Sequence, residues 1–286
     1  MVVSVEKFPM PGETLLGKKF LMNPGGKGAN QAVAAARLGA DVTFVAKVGN
    51  DVFGEQAKQQ FGKEKIRTDF ILTDPYNASG IALITVDQHG ENTIVVAQGA
   101  NATLNVSDIQ LVAHLIADCE IIVLQLETPL ETVLFVLTEA KKHAGKKVIL
   151  NPAPAASLPD VFFDGLFVVT PNKAEAELLS GVPIMDIESA RAAAEILYKK
   201  GVRNVIITLG REGALLHNHE MSKHIAGIAV PALDTTAAGD IFNGALAVAL
   251  TEGKAIERAV DFANRAAALS VARAGAQASA PYRHEL

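Results

Sequence analysis

The chain has 286 residues, a net charge of −5, 49% hydrophobic and 20% charged residues, which fits one large or two small α/β domains and excludes a disordered chain. No basic footprint or aromatic set (no Trp, three Tyr) offers a surface for nucleic acid. Apolar runs are broken before the roughly 18 residues a membrane span needs, no leader pattern follows Met1, and one cysteine, Cys119, suits a reducing cytoplasm and reads as a small buried hydrophobe.

The first twenty-odd residues read as short strands about a Pro11-Gly12 turn, and a glycine-rich start then opens a helix running to Leu38. Asp41 to Val48 is a predicted strand and Phe53 to Glu64 a helix. Ser79 to Val86 and Asn92 to Ala97, joined around Gln88, His89 and Gly90, form a hairpin signal rather than a crossover. Ile121 to Leu126 is a strand, Leu130 to His143 a helix, and Lys147 to Leu150 and Leu166 to Thr170 are strands. A helix over Ser189 to Lys199, a strand over Val205 to Leu209 and two Ala-rich helices, Gly239 to Leu250 and Ala255 to Val271, complete the pattern. This alternation predicts an α/β fold, a doubly wound, mostly parallel sheet with helices on both faces, whose ligands sit at the carboxyl ends of the strands. With no repeat or linker, residues 1–286 are expected to form a single domain. The N-terminal strands and the hairpin (about 1–23 and 79–98) make either a small separate sheet, a lid or subunit interface, or an antiparallel edge of the main sheet; the core is then 24–78 and 99–286.

Three motifs carry chemistry. Pro24-Gly25-Gly26-Lys27-Gly28-Ala29-Asn30 opens a helix, where glycines admit a ligand and Lys27, Asn30 and the helix N-terminus donate to hydroxyl or phosphate oxygens; a plain tight turn is the alternative. It is neither a Walker A loop nor a dinucleotide fingerprint. In Asp234-Thr235-Thr236-Ala237-Ala238-Gly239-Asp240 a small-residue turn enters a helix, so that free N–H groups form an anion hole and Asp240 can take a proton from an attacking hydroxyl. Asn172-Lys173-Ala174-Glu175 spaces an amide and a carboxylate one helical turn apart, suited to a hydrated magnesium ion or to an ordinary helix start. The His217/His219 pair, with no third ligand close in sequence, reads as a solvated turn, and Lys141, Lys142, Lys146 and Lys147 as a solvated cluster at a helix end.

The segments GGKGANQAVAAARLGA, VGNDVFGE, QLETP, LNPAPA, TPNKAEAELLSG, VIITLGREGAL and DTTAAGDIFNGALAVAL, in this order and over nearly the whole chain, resemble the signature segments of the ribokinase family of PfkB-type carbohydrate kinases. The resemblance implies a sugar kinase that uses ATP, Mg2+ and a monovalent cation such as K+, acts on a pentose, and pairs as a homodimer through its lid sheet. It implies Asp240 as catalytic base, the backbone of Ala237, Ala238 and Gly239 as anion hole, and Gly26, Lys27, Asn30 and Glu127 as sugar-binding residues. Asn172 and Glu175 would act through magnesium and its waters. Thr208, Gly210, Gly213 and Asn264 would line the nucleotide, and Asp234, Thr236, Gly275 and Ser279 the monovalent cation.

The pattern also departs from the family, whose members open with a central strand and a Gly-Ser-x-Asn-x-Asp-like segment before the region matching Met1, and close with a further helix. Loss of that strand is expected to expose two strand edges, and the expectation is that Met1 is an internal methionine of a longer product. A deoxyribose or nucleoside kinase of the same family and a non-catalytic sugar- or nucleotide-binding remnant remain as rival readings.

Overall fold

The computed structural model describes the whole chain, Met1–Leu286. Strands β1 (Val2–Ser4) and β2 (Lys19–Leu21) pair antiparallel across a loop that contains the Pro11-Gly12 turn. Helix α1 (Lys27–Arg37) leads to β3 (Ala46–Gly49), α2 (Val52–Lys63) and β4 (Ile71–Asp74), a βαβ unit with parallel register Ala46↔Ile71. Asp51 caps α2 by accepting the Gly54 N–H, which satisfies one of the free donors of a helix start. The hairpin of β5 (Ile81–Val86) and β6 (Asn92–Ala97) joins β1 to make a four-stranded sheet of order β2-β1-β5-β6. This sheet stands by itself and is not an edge of the main one.

Two short helices, α3 (Val106–Leu111) and α4 (His114–Asp118), precede the main sheet. Its first part runs through β7 (Ile121–Leu124), α5 (Leu130–Ala140), β8 (Lys147–Leu150), β9 (Val168–Val169), α6 (Lys173–Ser180) and α7 (Ile187–Lys199) to β10 (Asn204–Thr208). The antiparallel strands β11 (Gly213–Asn218) and β12 (Ser222–Ala226) extend it, and α8 (Ala238–Thr251) and α9 (Ile256–Val271) return along one face. Side-chain alternation divides the core in two. Ile149, Val168 and Ile206 pack with Val33, Ile241, Leu246 and Val260 of α1, α8 and α9, while Leu150, Val169 and Ile207 pack with Val136, Ala176 and Ala193 of α5, α6 and α7.

The central β-structure is in two pieces, a six-stranded sheet ending at β7 and the separate pair β3-β4. Both strands face the same two cores: Ala46, Val48, Ile121 and Val123 lie against one, Val45, Ile122 and Leu124 against the other. They share no ladder hydrogen bonds, and every residue of β7 is only half-buried, whereas Val148, Ile149 and Leu150 of the neighbouring β8 are buried. The two unpaired strand edges expected from the sequence are therefore present, but they are half-buried rather than exposed.

Sequence patterning missed β4, β11 and β12. The His217/His219 segment is not a solvated turn throughout. His217 lies on β11, largely buried against Tyr198, with its Nε2 3.0 Å from the Glu195 carboxylate of α7. Cross-strand pairing with Ser222 overrides the polar composition from which the turn was read. Cys119 is half-buried rather than fully buried.

Candidate active site

The carboxyl ends of the strands gather the three motifs. Gly26, at φ 90°, occupies backbone territory that favours glycine and sets the start of α1. The Lys27 N–H then donates to Glu127 Oε2 at 2.8 Å, joining this helix start to the segment after β7. Burial pushes the Glu127 carboxyl up, against the Lys27 N–H and charge, which lower it.

One turn further on, α1 meets α8. Gly244 makes this approach possible: a Cβ there would lie 2.7 Å from the Gln31 carbonyl oxygen and 2.8 Å from Ala34 Cβ. The close contact sets Asp240, in the first turn of α8 and 5% exposed, beside two amides of α1. Asn30 Nδ2 donates to Asp240 Oδ2 at 2.8 Å, and Gln31 Nε2 donates to Oδ1 at 3.0 Å. Burial raises the Asp240 carboxyl above its ordinary value, opposed by the Asn30 and Gln31 bonds and by the Lys27 charge. Asn30 Oδ1 is buried without a partner, an acceptor available to a bound hydroxyl.

The turn before α8 is strained at Ala237. Ala237 holds φ 62°, a left-handed conformation uncommon for a residue with a Cβ. Ala238 N–H donates to Thr235 at 3.3 Å, while the Gly239 and Asp240 amides have no backbone acceptor and open at the positive end of a 14-residue helix. Asn243 anchors this end, donating to the Gly239 carbonyl at 2.8 Å and accepting from the Thr170 hydroxyl beyond β9 at 2.7 Å.

Asp234 ties the turn to the C-terminal segment by accepting from the Thr236 N–H at 2.9 Å and the Gly275 N–H at 2.8 Å. Burial raises the Asp234 carboxyl, but bonds from Thr236 and Gly275 outweigh it and hold the group below its ordinary value. Ser279, fully buried, closes the same segment through a bond to the Ala276 carbonyl.

Asn172 and Glu175 form a reciprocal capping box at the start of α6, with Glu175 Oε2 accepting the Asn172 N–H at 2.8 Å. A β-bridge sets Asn172 beside Thr208 at the end of β10, so the Asn172–Glu175 motif adjoins the Thr208–Gly213 segment. Burial raises Glu175; the Lys27 charge lowers it and the Asp240 charge raises it, which puts Lys27, Glu127, Glu175 and Asp240 in one electrostatic neighbourhood. Gly210 follows Thr208 at φ 61°, and Gly213 sits so close to β12 that a Cβ would be 2.2 Å from the Ile225 carbonyl. Asn264, on α9, donates to that same carbonyl at 3.3 Å.

No three His, Cys, Asp or Glu side chains converge as a metal cage. The oxygen donors of the site, the Asn172 amide and the Glu175 carboxylate among them, are of the kind a divalent ion takes. A cavity of about 540 Å³ lined by Phe167, Arg203, Asn204 and His219 lies at the opposite, amino ends of β9 and β10. Gln31, Gln125, Asn243 and Gly244 belong to the site and were missed in the sequence. The close approach at Gly244 had a faint signal, a glycine inside a helical pattern; the two glutamines lie within the GGKGANQ and QLETP segments, but no role was read for them.

The family model described as pfkB family carbohydrate kinase matches residues 2–283. The chain is 45% identical over 284 residues to a ribokinase of Haemophilus influenzae, covering 99% of this chain and 92% of that one. It is 39% identical over 284 residues to a deoxyribokinase of Salmonella typhi, covering 98% and 92%. The solved structure of an Arabidopsis thaliana ribokinase complexed with ribose and ATP superposes with a TM-score of 0.91 at 31% identity, over 99% of this chain and 92% of that one.

Proposed function

The chain belongs to the pfkB family of carbohydrate kinases, and on that premise we propose that it transfers the γ-phosphoryl group of ATP to D-ribose, giving ribose 5-phosphate, with Asp240 as the base. One observation carries the assignment of roles. A buried carboxylate, held by two amide donors, sits at a helix N-terminus whose next amides are free.

The chemistry follows from that placement. The sugar is held by the Gly26–Lys27 helix start, Asn30 Oδ1 and Glu127. Asp240 accepts the hydroxyl proton as the hydroxyl oxygen forms its bond to the γ-phosphorus and the bond to the leaving ADP oxygen breaks. The free amides of the turn from Ala237 to Asp240 stabilise charge on the phosphoryl oxygens, the main catalytic need in such a transfer. Magnesium supplies neutralisation of phosphate charge, and Asn172 and Glu175 are the residues that would hold it through water. Thr208, Gly210, Gly213 and Asn264 line the nucleotide side. A monovalent cation such as K+ would be held by the segments around Asp234, Thr236, Gly275 and Ser279 and would steady the anion hole.

The four-stranded sheet acts as the lid in this reading. Its apolar residues Phe20, Leu83, Ile94, Val95 and Val96 are each at least half exposed, and both faces of β6 are open. A second copy of the chain is the partner that covers them, so the working form is a homodimer in the cytoplasm. No helix is long and apolar enough to cross a membrane. An Ile94→Lys change is expected to halve the mass seen by light scattering; a parent that is already monomeric sinks the dimer.

The similarity to a deoxyribokinase favours one second reading, 2-deoxyribose as the preferred acceptor. Relative kcat/KM for the two sugars separates them. A site that hydrogen-bonds the 2-hydroxyl rejects the deoxy sugar strongly, and a preference for deoxyribose reverses the assignment.

A further inference from the structure

Gln31 is 3% exposed and lies in the seam between α1 and α8. It donates Nε2–H to Asp240 Oδ1 at 3.0 Å, while its Oε1 accepts from Gln125 Nε2 at 2.6 Å. Gln125 follows β7, and its own Oε1 packs so near Gly28 that a Cβ there would lie 2.9 Å from it. A side-chain amide has one end that only donates and one that accepts. With Gln125 donating to Oε1, a flipped Gln31 would set two N–H groups against each other and turn its oxygen toward a carboxylate. The relay Gln125–Gln31–Asp240 therefore has one satisfied arrangement. In it Asn30 and Gln31 donate to opposite oxygens of Asp240, a pattern matched to the anion.

We propose that Gln31, locked in one amide orientation by Gln125, is a positioning residue that fixes the rotation of the Asp240 carboxylate and keeps it ready to accept the hydroxyl proton. The catalytic half of this statement rests on Asp240 being the base. The other charged groups around Asp240 are Lys27 of α1, which favours the anion, and Glu127 and Glu175, from the segment after β7 and from α6, which oppose it.

The test uses the full chain and two readouts, 13C NMR titration of the Asp240 carboxyl and the pH profile of ribose phosphorylation. In Gln31→Met, which keeps length but loses the donor, Asp240 is expected to titrate about one pH unit higher than in the parent, and kcat/KM to fall about tenfold with its acid limb moved the same way. Gln125→Met is expected to act in the same direction. The double variant should be no worse than Gln31→Met alone, because Gln125 acts only through Gln31. An unchanged Asp240 titration in both single variants, or effects that multiply in the double variant, overturns the proposal. Absence of sugar phosphorylation by the parent counts against the kinase reading alone, since the carboxyl titration still decides the relay.

Discussion

Replacing Gly244 with alanine probes the contact that positions Asp240, the carboxylate proposed as the base. The added Cβ would stand 2.7 Å from the Gln31 carbonyl oxygen, 2.8 Å from Ala34 Cβ and 3.1 Å from the Ala35 nitrogen. Ordinary carbon contacts need about 3.5–4.0 Å, so α1 and α8 must separate by about 1 Å. Overpacking of this kind costs roughly 1–3 kcal/mol, and the better helix propensity of alanine returns about 0.8–1 kcal/mol. The net loss of about 0–2 kcal/mol should lower Tm by a few degrees at most. The effect on turnover should be far larger. The same separation carries Asn30 and Gln31 away from Asp240, and a misplacement of about 1 Å can cost on the order of 10²-fold. Thermal unfolding and steady-state kinetics of Gly244→Ala, measured side by side, check both figures. A variant that keeps turnover within about twofold of the parent would refute the claim that this helix contact builds the site.

Asp240→Asn should lower kcat on the order of 10²–10⁴-fold while leaving the fold intact, as circular dichroism would report. Burial lifts Asp240 above the ordinary value of about 3.9, and only the anion acts as base, so activity should fall as pH drops through that raised value; an acid limb at or below about 4 contradicts the assignment. Arg37 and Glu64 form a bidentate pair, each about nine-tenths buried, and Arg37 also donates to the carbonyls of Gln277 and Ala280. Arg37→Met should therefore cost about 3–5 kcal/mol in denaturant unfolding by stranding Glu64, and Arg37→Met with Glu64→Leu should recover part of it. Asp234 has a depressed value in the folded chain, so its stabilising effect is present above about pH 3.9 and is lost as pH falls through the folded value. The Tm gap between parent and Asp234→Asn should accordingly be open at neutral pH and close in acid.

The local part of the site was legible because its devices are local. A glycine run before an apolar helix marks the start of α1, the Asn-x-x-Glu spacing marks the cap of α6, and small residues before Asp240 mark the turn into α8. What joins them is not local. Asn30 and Asp240 are 210 residues apart, and only the packing of α1 on α8 brings them together. Gln31 and Gln125 lie within the signature segments, but the residues alone assign them no role, since a glutamine reads like any polar residue until its partners are seen. The strands β11 and β12 were missed for a related reason: the His217–Glu220 run, whose first two residues end β11, has turn composition, and only strand pairing shows where the strand stops. The departure from the family's opening strand led to the expectation of two strand edges in the central sheet, and the sheet is divided between β3 and β7. That the two edges remain half-buried against common cores is visible only in three dimensions.

The most direct measurement is formation of ribose 5-phosphate and ADP by this chain from D-ribose, ATP, magnesium and potassium. One ADP released for each ribose phosphorylated, lost in Asp240→Asn, is the predicted result. Nucleotide binding without ribose-dependent ADP release would contradict the account and leave a protein that holds its ligands but does not join them.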